Sequence, residues 1–289
     1  MSQRVLRVLV VAPHLPFEVG GAELLAETLR DEIARRGHEV DLVRLPFAWP
    51  CSREQLLASC LAWRLVDLTA PGGRPVDRVI ATKFPSYVVK HPRKVVWLVH
   101  QLRQAYDLLG GAHSDFVPER SAEDAAAVAA IRELDRRTLG EARALFTISA
   151  NVRDRLEKHN GLAAQVLHPP PRLFDRLTSG PYGDYVLTVG RLDPLKRFDL
   201  LVRAIAETRE PVRAVIAGRG PEAGELAALA RELGVADRVE LPGWLPDERL
   251  AELYAGALAV FYAPVDEDYG FVTVEAFRAA RPVVTTRDA

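Results

Sequence analysis

The sequence predicts an α/β protein made of two Rossmann-like, doubly wound domains facing a cleft, the second of them incomplete. Three observations carry that expectation. Short apolar runs rich in Val, Leu and Ile alternate with helical stretches from end to end. A Pro- and Gly-rich segment over residues 169–183 interrupts the alternation once and reads as a linker. The alternation then restarts and stops at Ala289, directly after a strand pattern, where an open α/β domain would continue into another loop and helix.

Val5 to Ala12 is a continuous apolar run that Pro-His-Leu-Pro breaks, the pattern of a strand buried on both faces. Gly20-Gly21 follows, and Leu25, Leu29 and Ile33 at four-residue spacing predict a helix that Gly37 ends. Glu39–Val43, Arg78–Ala81, Lys94–Val99, Leu145–Ile148 and Val166–Leu167 complete a first sheet. A long helix over Ala122–Glu141 and a helix N-capped by Ser149 lie among them, so a first domain covers residues 1–172. In residues 173–289, strands over Tyr185–Val189, Arg213–Ala217, Val239–Leu241, Leu258–Ala263 and Val283–Thr286 alternate with helices. Those helices fall near Asp199–Thr208, Glu222–Leu233, Asp247–Ala255 and Thr273–Ala280.

Of the 289 residues 48% are hydrophobic and 27% charged, with a net charge of −1, which suits a globular chain and argues against a nucleic-acid partner. Up to residue 175 there are 24 Lys and Arg against 21 Asp and Glu, and beyond it 14 against 18. That asymmetry permits a weak peripheral membrane contact without requiring one. The first apolar run is short and flanked by Arg4 and Arg7, which fits a strand better than a signal peptide or a span. Cys51 and Cys60, nine residues apart, would point to opposite faces of a helix and read as two reduced thiols of a cytoplasmic protein.

Ligands of open α/β sheets bind beyond the carboxyl ends of the strands, and the chemically suggestive residues fall there. Gly20-Gly21, between the first strand and first helix, would let bare amides and a helix N-terminus approach a phosphate, although a plain tight turn has the same composition. Gly190-Arg191-Leu-Asp-Pro-Leu-Lys196 sets two cations after the first strand of the second domain, a planar fork and a point charge suited to a diphosphate. Glu267 and Glu275 flank Gly270-Phe271-Val272, with Glu275 expected in the first turn of a helix. Such carboxylates accept paired hydrogen bonds from vicinal hydroxyls, or merely serve a helix dipole. Asp266-Glu267-Asp268 also spells the Asp-x-Asp of metal–diphosphate sites, but the middle glutamate is the residue of interest and no metal is expected.

Val-Gly-Gly-Ala-Glu, Gly-Arg-Leu-Asp-Pro-Leu-Lys, Ala-Gly-Arg-Gly-Pro, Leu-Pro-Gly-Trp-Leu-Pro-Asp, Tyr-Ala-Gly-Ala and the two spaced glutamates occur in that order. The ordered set resembles the retaining family-4 glycosyltransferases (glycosyl transferases group 1) of GT-B fold, over nearly the whole chain and most strongly over residues 185–286. The resemblance implies a metal-independent hexosyltransferase that moves a sugar from a UDP- or GDP-sugar to an acceptor hydroxyl with retention. The acceptor would be a sugar, glycan or lipid-linked molecule. It assigns the diphosphate to Arg191 and Lys196, approached by Gly20 and Gly21. It gives the ribose to Glu275, the donor sugar to Glu267 and the amides of Gly270, Phe271 and Val272, and the base to Leu245. His100, at the end of the Lys94–Val99 strand, matches a family histidine near donor sugar and acceptor. Full-length members continue past the point where this chain stops, through a Gly-rich loop and further helices.

Three other readings stand beside it. An oxidoreductase would want Gly-x-Gly-x-x-Gly after a domain's first strand, whereas Gly218-Arg-Gly220 follows a later strand and Gly224 comes one place late. A sugar-nucleotide isomerising or phosphorolytic enzyme would share the fold, and a shortened chain is compatible with a non-catalytic nucleotide-sugar-binding module.

Overall fold

The computed structural model describes residues 4–17, 20–48, 50–111, 114–119 and 121–288. They divide into two compact units, Met1–Pro169 and Pro170–Ala289, close to the division read after residue 172. Val19 of the first glycine motif and the terminal Ala289 lie outside the described residues.

The first unit runs β1 (Arg7–His14), α1 (Gly21–Arg35), β2 (Glu39–Pro46), α2 (Arg53–Leu65), β3 (Arg78–Ala81), β4 (Lys94–Leu98), α3 (Ala122–Gly140), β5 (Ala144–Thr147), α4 (Ala150–Asn160) and β6 (Gln165–Val166). The strands form one sheet in the order β2-β1-β3-β4-β5-β6, and every pair in it is parallel. β1 starts later than the apolar run suggested, since Val5 is exposed and the ladder to β2 opens at Arg7 opposite Glu39. Val10 and Ala12 meet Ala26, Leu29 and Ile33 of α1, so Ala26 joins two of the three residues of the stripe seen in the sequence.

Helix α2 had no counterpart in the sequence reading. Ser52 caps it by accepting from the Gln55 amide, and the Gln55 side chain accepts from Ser52 N–H in return. Leu56, Cys60 and Trp63 are its buried face. Cys51 precedes the helix, so the opposite-face geometry inferred from the spacing does not apply; both thiols are free.

The second unit runs β7 (Tyr185–Val189), α5 (Phe198–Glu207), β8 (Arg213–Ala217), α6 (Ala223–Glu232), β9 (Val239–Gly243), α7 (Asp247–Gly256), β10 (Ala259–Phe261), α8 (Phe271–Arg278) and β11 (Val283–Val284). Its parallel sheet has the order β11-β10-β7-β8-β9. Side chains on β8 alternate between two cores. Ala214 and Ile216 pack with α5 and α6, while Val215 and Ala217 pack with α7 and α8. Helices therefore cover both sheet faces, which is the doubly wound arrangement. Phe198, Leu201, Val202 and Ile205 make the buried stripe of α5, each contributing roughly 1.5–3 kcal/mol of burial.

Candidate active site

In an open parallel sheet a crevice forms where neighbouring strands send their connections to opposite sides. In the second unit that place is between β7, which leads on to β8, and β10 on its other flank. The loops leaving these two strands carry Arg191–Lys196 and Asp266–Gly270, so the topology itself brings the cationic motif and the first glutamate together.

The contact is direct. Lys196 Nζ forms an ion pair with Glu267 Oε2, and Tyr262 OH donates to the same oxygen at 2.7 Å. Asp268 N–H donates to Glu267 Oε1 at 3.1 Å. Burial pushes the Glu267 carboxyl upward, but the Lys196 charge and these donors outweigh it and hold it below the usual carboxylate range. Three residues in left-handed backbone surround the pair: Arg197 (φ 51°), Asp266 (φ 44°) and Gly270 (φ 71°). A Cβ on Gly270 would lie 3.1 Å from the Tyr262 ring, so glycine suits that position on two counts. Arg197 instead fastens the site from behind, donating to Ala263 O at 2.6 Å, Thr286 Oγ1 at 2.8 Å and Asp288 Oδ2 at 2.8 Å.

Arg191 is more exposed than Lys196, and its Nε donates to Asp193 Oδ2 at 2.9 Å. Asp193 Oδ1 accepts from Leu195 N–H at 3.1 Å, so one carboxylate ties the arginine to the turn Pro194–Lys196.

Gly270 is the N-cap of α8, so the helix begins at Phe271, two residues ahead of the start read from the sequence. Glu275 consequently lies in the second turn, not the first, and is no helix-dipole acid. Tyr254 OH, fully buried on α7, donates to Glu275 Oε2 at 2.6 Å. Burial raises the Glu275 carboxyl to about 7, against the lowering influence of Tyr254 and Arg172. The two glutamates thus sit in opposite electrostatic states on one loop and helix. Leu245 packs partly against the core beside α7, while Trp244 next to it is 62% exposed, an aromatic the sequence reading passed over.

In the first unit the corresponding crossing lies between β1 and β3. Gly20 caps α1, and its N–H donates to Glu23 Oε2 at 3.0 Å. Glu23 Oε1 pairs with Lys83 Nζ at 2.6 Å, both side chains being largely buried. Burial pushes Glu23 upward, and Lys83 and the Gly20 amide more than reverse it. The amide offered to a phosphate in the sequence reading is therefore engaged by a carboxylate of its own helix, and an anion arriving there would meet Glu23 as well as Lys83. Neither residue had been singled out; Glu23 was legible as the third residue after a helix cap, Lys83 only from the fold. His100 follows β4, and its Nδ1 is 2.6 Å from the backbone oxygen of Gln101. A carbonyl only accepts, so Nδ1 carries a proton, and in the neutral form of the ring the lone pair is on Nε2.

No group of three His, Cys, Asp or Glu side chains among the described residues is arranged to hold a metal ion. Nor is any described helix long and apolar enough to cross a membrane.

Residues 173–289 match the family of glycosyl transferases group 1. A D-inositol 3-phosphate glycosyltransferase of Acidothermus cellulolyticus is 36% identical over 189 residues, which is 59% of this chain and 42% of that protein. The chain thus spans less than half the length of this curated relative. Sucrose-phosphate synthase from Thermosynechococcus elongatus superposes with a TM-score of 0.73 at 16% identity, over 98% of this chain and 81% of that one. Anabaena HepE, solved with UDP and glucose, superposes with a TM-score of 0.66 at 18% identity over 98% and 81%. At such identities the likeness establishes the fold, which is that of the GT-B glycosyltransferases: two Rossmann-like α/β units.

Proposed function

We propose that the protein, whose residues 173–289 match the glycosyl transferases group 1, moves a hexose from a nucleotide-sugar donor to an acceptor hydroxyl with retention of configuration. The observation that carries this reading is the convergence of Lys196, Glu267 and the N-terminus of α8 at the crossing of β7 and β10. Lys196 and Arg191 neutralise the donor diphosphate, Glu275 receives the ribose hydroxyls, and Glu267 with the first amides of α8 orients the sugar. The chain's share of catalysis is positioning and stabilisation of charge on the departing diphosphate. Retention follows when the acceptor attacks from the leaving-group face and the departing phosphate takes its proton. His100 serves the sugar and acceptor side. A sugar, glycan or lipid-linked acceptor suits this scheme equally, and the protein works in the cytoplasm.

With the cations of Arg191 and Lys196 on the diphosphate, no divalent ion is required. Turnover of UDP-, GDP- and ADP-hexoses by the full-length protein should persist in EDTA, and anomeric NMR of the product should show retention. Loss of turnover in EDTA with recovery in Mg²⁺ or Mn²⁺ would transfer a role to Asp266 and Asp268, and an inverted product would end the retaining assignment.

A further inference from the structure

His100 adjoins a largely buried polar chain that the glycosyl-transfer scheme does not use. Beside it, Gln101 is 3% exposed, and its Nε2 donates to Asn160 Oδ1 at 2.5 Å. Asn160, the last residue of α4, donates from Nδ2 to Tyr106 OH at 3.3 Å. Tyr106 OH in turn donates to Oδ2 of Asp135 at 2.9 Å, in the middle of α3 and wholly buried. With Asp135 ionised, the direction of every bond in this chain follows from its far end. The Asp135 carboxylate accepts, so the Tyr106 hydroxyl proton points to it and its lone pair faces Asn160. That oxygen takes the Asn160 amino group, which leaves the Asn160 carbonyl to receive the Gln101 amino group. The Gln101 backbone oxygen, held at the end of the chain, is the acceptor that sets the His100 tautomer.

We propose that Tyr106 is a positioning residue for His100, acting through Asn160 and Gln101 to hold the ring with its proton on Nδ1 and its lone pair on Nε2. Buried polar groups joined this way resist displacement, because breaking one bond strands the next group without a partner. Two further contacts secure Tyr106 itself: its ring lies 5.3 Å from the His159 ring and 5.4 Å from the Arg132 guanidinium. Tyr106→Phe therefore keeps the packing and removes only the hydroxyl. Tyr87 supplies the control. It is fully buried close to Asp135, and its hydroxyl takes no part in the bonds that run from Tyr106 to Gln101.

The inference rests on the proposed role of His100 only for its catalytic consequence; the tautomer can be read without turnover. In the chain labelled with ¹⁵N-histidine, long-range NMR correlations should show His100 protonated at Nδ1. In Tyr106→Phe and Asn160→Ala the Nδ1 signal should move toward that of a mixed tautomer population, while in Tyr87→Phe it should stay. Turnover of the best hexose donor by Tyr106→Phe should fall about tenfold, the order expected when a reacting group is misplaced slightly, with KM within about twofold. A wild-type ring protonated at Nε2, an unchanged signal in both chain variants, or an equal shift in Tyr87→Phe would overturn the proposal. His100→Ala with normal turnover would instead remove the catalytic role of His100 and leave the tautomer result standing.

Discussion

Glu267 and Glu275 are one residue type in two conditions, and the difference lies in what each touches. Lys196 and the Asp268 amide keep Glu267 ionised, whereas Glu275 faces Tyr254 in an apolar setting that raises it to about 7. At about pH 8, where Glu275 is ionised, Glu275→Ala should weaken a bare nucleoside diphosphate and its hexose conjugate alike, by roughly 1.5–3 kcal/mol for a lost charged hydrogen bond. Glu267→Ala should leave the bare nucleotide bound within about threefold, because it releases Lys196 to the diphosphate, and should lower kcat. Titration calorimetry beside steady-state rates separates the two, and equal losses in both variants would contradict the assignment. Asp135, also raised to about 7 by burial, makes a claim about stability. Its folded value exceeds its unfolded one, so the folded chain holds the extra proton and gains stability at low pH. That gain is lost as pH rises through about 7. Urea unfolding of Asp135→Asn between about pH 5.5 and 8 should therefore fall less steeply than that of the wild type; parallel slopes would show that Asp135 is not the group responsible.

At the level of elements, the glycines of Ala-Gly-Arg-Gly-Pro belong to packing. A Cβ on Gly218 would lie 1.8 Å from Gly190 O, and one on Gly220 2.3 Å from Leu192 O, so the loop after β8 lies hard against the Arg191 loop. Gly220→Ala should displace that loop and weaken nucleoside diphosphate binding about tenfold or more while the far-ultraviolet spectrum stays native; unchanged affinity would show the loop tolerates the shift. Lys94 plays the opposite part at the start of β4. Its fully buried ammonium donates to Tyr87 O, Val89 O and Thr138 O at 3.0, 3.1 and 2.7 Å and pairs with Glu141 Oε2 at 3.3 Å, so Lys94→Met, which strands these partners, should cost about 3–5 kcal/mol in chemical unfolding. β3, β7 and β8 were legible to the residue because strands buried on both faces are written as unbroken apolar runs. The start of α8 was not, since a left-handed glycine cap looks in sequence like any loop glycine, and α2 carries too many exposed leucines to show a face.

Across the whole molecule, the repetition of apolar runs on either side of one Pro/Gly break was enough to give two doubly wound units. The strand order, and with it the crossing points, needed the structure. The candidate residues were legible as motifs following strands; their partners were not. Tyr262 and Tyr254 under the glutamates, Lys83 on Glu23 and the chain from Asp135 to Gln101 join residues far apart in sequence, and no local pattern marks such pairs. What would tie these observations to the proposed function is binding of a nucleoside diphosphate at the β7–β10 crossing. Calorimetric titration of UDP, GDP and ADP into the full-length protein in EDTA should give saturable one-to-one binding with one base preferred. That heat should be lost in Arg191→Ala combined with Lys196→Ala. No heat from any of the three, or saturable binding of NAD in their place, would contradict it.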